Sequence, residues 1–443
     1  MNQAIDYKNI WKVSYPIILS GVAQNIVNVT DTAFLGRYGI VELGAAGNAG
    51  IFYLVLMMIG FGFTIGCQII IGRRNGEGNL REIGELFNAG LFFLLPISLL
   101  LFAFVKLFTP QILSTVVASE NILQASIDYL SIRSYGIFFA FFNFLFIAFY
   151  TGTTNTKVLT KATFIQAGVN VILDYLFIFG KLGLSEMGIK GAALASVISE
   201  IIALLYFAYF TLAKTEYKKY NLFQELNFNW KKQLHILKVA APIMLQNFMA
   251  LCTWLSFFMI IEQTGEFNLG VSHIVRSIYM VVMIPLFGFS SAASTLVSNI
   301  MGEKRIEEVP LLIKRIVIMS ILATAAFLPM LLIFPSEVTS IYTNNATLIE
   351  GAIKILPVIC GAMLFFSIAF ITFSSVTGTG KTLVTLSIEF ISISIYLSFA
   401  YLFALVLDLS LVGVWSSEFI YFSFMGLLSI LYLKFGNWKN SVI

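Results

Sequence analysis

Of the chain's 443 residues, 58% are hydrophobic and only 11% charged, against about 25% charged in ordinary soluble domains. The mean hydropathy is strongly positive, which excludes a separate soluble domain of the usual ~100–150 residues. The net charge of +4 carries no nucleic-acid signal, because most Lys and Arg fall in loops between apolar runs.

An α-helix rises about 1.5 Å per residue, so about 20 apolar residues cross a bilayer. Runs of that length predict twelve spans, near residues 14–36, 47–72, 86–108, 127–152, 159–180, 188–213, 238–262, 270–299, 311–334, 352–376, 381–406 and 410–434. The expected fold is an all-α polytopic membrane protein. Ahead of span 1, Met1–Lys8 lacks a charged start followed by a short apolar core, so no cleaved signal peptide is expected.

In span 1, Gln24, Asn28 and Asp31 recur at i, i+4 and i+7 and share one helical face. A charge at membrane depth costs at least roughly 2.5–3.5 kcal/mol, so this stripe is expected to face a cavity or other helices. Pro16, earlier in the span, removes a backbone donor and permits a helix bend. In span 5, Asn170 and Asp174 are four residues apart and again share a face. Packing of spans 1 and 5 brings two carboxyls and an amide together. Such a site suits a hard cation held by oxygens. It equally suits a proton, since adjacent carboxylates in a poorly hydrated pocket do not both stay charged. The bland alternative is a structural polar patch.

The one long polar connection follows span 6. It divides the chain into an N-terminal six-helix lobe (1–213), a cytoplasmic loop (214–237) and a C-terminal six-helix lobe (238–443). Most of the 27 Lys and Arg fall on the side shared by both termini and this loop, which predicts cytoplasmic termini in a cell membrane. Further intramembrane charges are Glu200, Arg276, Glu389 and Glu418 in or near spans 6, 8, 11 and 12. Each either lines the cavity or is structural, and Arg276 has a partner to hand in Glu262 at the outer edge. Cys67, Cys252 and Cys360 lie in apolar runs and read as small buried hydrophobes. The segment Thr377-Gly-Thr-Gly380-Lys381-Thr382 resembles the end of a phosphate-binding loop. Its required first glycine is Ser375, no strand precedes it, and it reads as a short turn. Nothing in the sequence supports ATP-driven transport.

A shift of 226 residues superposes four blocks. Pro16-Ile-Ile-Leu19 meets Pro242-Ile-Met-Leu245, and Gly62-Phe63 meets Gly288-Phe289. Gly76-Glu77 meets Gly302-Glu303, and Thr151-Gly-Thr153 meets Thr377-Gly-Thr379. With six spans per unit, both halves enter the membrane from the same side, giving a parallel repeat of the kind that serves alternating access. The polar residues break the symmetry: Asp31, Asn170 and Asp174 face Phe257, Tyr396 and Ala400.

The run Pro16…Asn28-Val-Thr-Asp31-Thr…Gly36, the Asn170-Val-Ile-Leu-Asp174 pair, Gly191-Ala-Ala-Leu-Ala-Ser196 and Met283-Ile-Pro-Leu-Phe-Gly288 resemble the multidrug and toxic compound extrusion (MATE) family over essentially the whole chain. That resemblance implies a V-shaped, two-lobed secondary antiporter, not an enzyme. It would export organic cations and related amphipathic compounds in exchange for Na⁺ or H⁺, with no other cofactor. It implies coupling-ion binding at Asp31, Asn170, Asp174 and Ser196, the last standing where a Thr is common, with Gln24 and Asn28 lining the cavity. The partners implied are the substrate and the lipid bilayer, the protein acting as a monomer without ATP. The branch resembling the norfloxacin exporter carries acids within helices 7 and 10. This chain has only Glu262 at the outer end of span 7, so the N-terminal lobe is the expected coupling route. The alternative is a flippase of lipid-linked oligosaccharide or peptidoglycan precursors from the same superfamily, although those tend towards fourteen spans and a basic cavity. An intramembrane aspartyl protease is remote, since Thr-Asp31 and Leu-Asp174 lack its sequence contexts.

Overall fold

A computed structural model describes residues 5–215, 217–224, 227–441 and 443. Glu216, Glu225 and Leu226 of the loop 214–237 lie outside the described residues. Among the described residues the chain forms helices and no strand. This follows from the bilayer, where backbone N–H and C=O groups must bond within their own segment.

The helices are α1 (Tyr7–Tyr38), α2 (Ile40–Glu77), α3 (Leu80–Val116), α4 (Glu120–Arg133), α5 (Gly136–Gly152), α6 (Lys157–Ile178) and α7 (Ile189–Ala213) in the first half. The second half holds α8 (Trp230–Glu262), α9 (Glu266–Gly302), α10 (Val309–Ala325), α11 (Leu328–Ile333), α12 (Pro335–Ser340), α13 (Ala346–Gly378), α14 (Thr382–Tyr401), α15 (Leu411–Trp415) and α16 (Ser417–Phe435). Ten helical runs among the described residues are long and apolar enough to cross a membrane, and the α4–α5 pair, bent by 52°, adds an eleventh. The predicted first span, α1, has 32 residues and reaches about 48 Å, but Gln24, Asn25, Asn28 and Asp31 leave it less apolar than these runs. Several helices outrun the predicted spans by a turn or more. Hydropathy registers the apolar stretch, whereas caps set the ends. Gly78, at φ +72°, closes α2, and the Asn79 side chain accepts from Glu82 N to open α3. The Thr377–Lys381 segment joins α13 to α14, so a helix precedes it.

Packing divides the chain into two units, Leu19–Met244 and the chain up to Ile18 with Leu245–Ile443. The divisions fall inside α1 and α8, two residues after Pro16 and Pro242, and are themselves 226 residues apart. Each half thus lends the start of its first helix to the other unit. In the second unit, Ile10 and Val13 of α1 join the core of Phe289, Ala292 and Val297 on α9. In the first, Gln233 Nε2 of α8 donates to Ala89 O at 2.8 Å, and Lys232 bonds Glu85.

Glycines explain how these helices cross so closely. A Cβ on Gly62 would lie 2.7 Å from Met244 Cα, and one on Gly288 would lie 2.3 Å from Ile18 Cγ1 and 3.1 Å from Ile18 N. Met244 and Ile18 are equivalent under the 226-residue shift, so the Gly62/Gly288 block marks one crossing made twice. A Cβ on Gly50, also on α2, would have nothing within 4 Å. Gly62→Ala and Gly288→Ala are therefore expected to destabilise by about 1–3 kcal/mol through overpacking. Gly50→Ala should be neutral or stabilising, since Ala gains about 0.8–1.0 kcal/mol of helix propensity over Gly. Thermal unfolding of the purified variants checks the contrast.

Candidate cation-binding site

In the unit Leu19–Met244, α1 packs on α6 through Ala23, Val27 and Ala167. Small residues at this seam let the backbones approach and bring the two polar faces together. With its amide in the orientation its neighbours require, Asn170 Nδ2 donates to Asp31 Oδ1 at 3.1 Å and to Asp174 Oδ2 at 3.3 Å. The two carboxyls lie within hydrogen-bonding reach of each other. Asn170 and Asp174 are fully buried and Asp31 partly so. Asp174 Oδ1 is buried without a hydrogen-bond partner. One amide thus bridges two carboxyls and leaves an oxygen free for a proton or a small cation.

The other expected site residues are spread more widely. Ser196 on α7 is buried, its carbonyl accepts from the Ser199 hydroxyl at 2.8 Å, and among the described residues its own hydroxyl has no bond to the carboxyl pair. Gln24 and Asn28 are exposed on α1. Pro16 is buried, and α1 runs through it as one helix.

A second layer surrounds the carboxyls. Arg133 Nη1 and Nη2 donate to the Glu200 carboxylate at 2.8 and 2.5 Å. The guanidinium also lies 4.3 Å from the centre of the Tyr53 ring. Asn143 Nδ2 donates to the Glu200 backbone carbonyl at 2.9 Å. Gly136, at the bend after α4, makes room for this pair: a Cβ there would meet Arg133 Nη1 at 2.0 Å and Glu200 Oε2 at 2.6 Å. Arg133 is close enough to act electrostatically on Asp31, and Tyr129 on both aspartates.

The MatE family model matches residues 16–176 and again 242–402, two stretches displaced by the same 226 residues as the internal blocks. The chain belongs to the MatE family. A probable multidrug resistance protein NorM from Thermotoga maritima is 27% identical, over 98% of this chain and 94% of its own. A probable multidrug resistance protein YoeA from Bacillus subtilis is 21% identical, over 90% and 87%. The solved structure of an outward-facing multidrug resistance MATE family transporter of the MOP superfamily matches with a TM-score of 0.88 at 20% identity, covering 96% of this chain and 95% of that one. A MOP superfamily transporter from Pyrococcus furiosus matches at 0.86 and 20%, covering 97% and 94%. At these identities the structural likeness shows the fold, an all-helical multi-pass membrane architecture.

Within this MatE family member, Glu200 is the partner of Arg133, a residue that pattern reading passed over. The signal was present: an arginine inside the fourth apolar run with no acid three or four residues away. Arg276 lies over the Phe258 ring at 5.2 Å and makes no ion pair with Glu262 among the described residues. Removing one member of a buried ion pair leaves the other charge uncompensated, at a cost of about 3–5 kcal/mol. Arg133→Met and Glu200→Met should each lower the thermal unfolding midpoint strongly. The Arg133→Met/Glu200→Met double variant should lose less than the sum, which a double-mutant cycle measures.

Proposed function

We propose that the protein is a secondary multidrug exporter that expels cationic or amphipathic organic compounds in exchange for Na⁺ or H⁺. The coupling ion is taken up at Asp31, Asn170 and Asp174. The observation that carries this reading is the convergence of two carboxyls on one amide at membrane depth, with a buried carboxyl oxygen left unpartnered. The names of the NorM and YoeA relatives support drug export as the activity.

A carboxyl pair of this kind changes its bonding when it gains a cation. With one monovalent ion bound, one of the two negative charges is cancelled, and sharing that ion between the carboxyls holds α1 and α6 together. Without it, like charges at close range push them apart. The ion thereby biases the seam that joins these helices, which is the differential interaction a two-state transporter needs. Exposed Gln24 and Asn28 continue the polar face of α1 and present amides to a substrate. In this reading the six-helix lobes 1–213 and 238–443, joined by the cytoplasmic loop 214–237, work by alternating access, with both termini cytoplasmic. The distribution of Lys and Arg supports that orientation. The protein works as a monomer and draws on an ion gradient without ATP.

Asp31→Asn should abolish drug resistance in an efflux-deficient host at unchanged expression, and Asn170→Ala should weaken it. Fluorescent-drug efflux from proteoliposomes, with Na⁺ and pH gradients imposed separately, identifies the ion. Efflux that persists in Asp31→Asn, or that ignores both gradients, overturns the reading.

A further inference from the structure

The 226-residue shift maps Asp31, Asn170 and Tyr53 onto Phe257, Tyr396 and Tyr279. The mapped residues converge as well: the Phe257 and Tyr396 rings lie 5.4 Å apart, in one core with Tyr279. Acids are missing from the mapped positions, yet the place is not without carboxyls. Glu418 of α16 accepts from Tyr396 Oη at 2.8 Å and from Tyr279 Oη at 3.4 Å. Tyr421, one turn further along α16, donates to Glu389 Oε1 on α14 at 2.8 Å. Helices α14 and α16 therefore each supply one Glu and one Tyr, and the Glu of each accepts from the Tyr of the other. The Tyr396 and Tyr421 rings, 5.1 Å apart, join the two bonds into one cluster.

Both glutamates are buried, at 3% and 6% exposure, and Glu389 Oε2 has no hydrogen-bond partner. The titratable groups facing them are Tyr279 from α9, Tyr396 from α14 and Tyr421 from α16. His273 and Arg276 of α9 pack on the Phe258 ring instead, and Cys360 of α13 is a free, buried thiol. No Lys, Arg or His among the described residues bonds either carboxyl. Two uncompensated negative charges in this setting are costly. A metal ion is poorly served, because the other oxygens of the cluster are tyrosine hydroxyls already donating to the carboxyls. A proton needs only one carboxyl oxygen, and Glu389 Oε2 is free to take it.

We propose that Glu389 and Glu418, with Tyr279, Tyr396 and Tyr421, form a proton-binding site inside the C-terminal unit. It occupies the place that the repeat makes equivalent to the Asp31–Asn170–Asp174 site, with its carboxyls supplied from α14 and α16. The site does not depend on which ion binds at Asp31.

Infrared spectra of the full chain in liposomes, recorded across a pH series, read the C=O stretch of protonated carboxyl groups. In an Asp31→Asn/Asp174→Asn background this band should remain, and adding Glu389→Gln and Glu418→Gln should remove it. In the same background Tyr421→Phe keeps both glutamates and should shift the band, because Glu389 loses its donor. A band absent from the aspartate variant, or unchanged by the glutamine substitutions, overturns the proposal. If the glutamine variants do not fold, an unshifted band in Tyr421→Phe overturns it equally.

Discussion

A bilayer interior offers a polar group nothing to bond, so every donor, acceptor and charge at that depth must find its partner within the chain. Backbone groups meet this demand by forming helices. Side chains meet it in pairs: Asn170 with Asp31 and Asp174, Arg133 with Glu200, Tyr396 with Glu418 and Tyr421 with Glu389. The polar chemistry is therefore gathered at a few helix seams. Atoms left over at those seams include Asp174 Oδ1 and Glu389 Oε2.

The two halves share a backbone plan and differ in its contents. Gly62 against Met244 and Gly288 against Ile18 are the same close crossing made twice, and the family model matches both halves at the same displacement. Yet Asp31 meets a bridging amide on α6, whereas its counterpart Phe257 packs against Tyr396 and Trp415. Duplication preserves helix crossings because a Cβ in the wrong place is costly anywhere along a seam. It does not preserve ligands, because a carboxyl can be supplied from whichever neighbouring helix faces the same spot. The divisions within α1 and α8 also leave each of these helices anchored in both units.

Much of this was legible in one dimension. A 20-residue apolar run has one outcome in a bilayer, so the helices lay open to counting. The i, i+4 spacing of Asn170 and Asp174 placed them on one face, and the polar stripe of span 1 marked its natural neighbour. The Arg133–Glu200 pair was less accessible, since its members lie 67 residues apart and meet only where Gly136 clears the space. Glu389 and Glu418 read as isolated acids, because the tyrosines that satisfy them sit on other helices. Ser196, given a ligand role by resemblance, is buried on α7, its hydroxyl without a bond to the carboxyls among the described residues.

The sequence by itself determined the helices, the parallel repeat and the acids that cannot face lipid, because hydropathy and periodicity act locally along the chain. Only the tertiary structure decided which polar groups meet. It placed Asn170 between two aspartates, gave Arg133 its glutamate, and put the starts of α1 and α8 in each other's unit. Those outcomes depend on which helix faces cross at glycine-sized gaps, and a distance between side chains on different helices is not written in the spacing of either one.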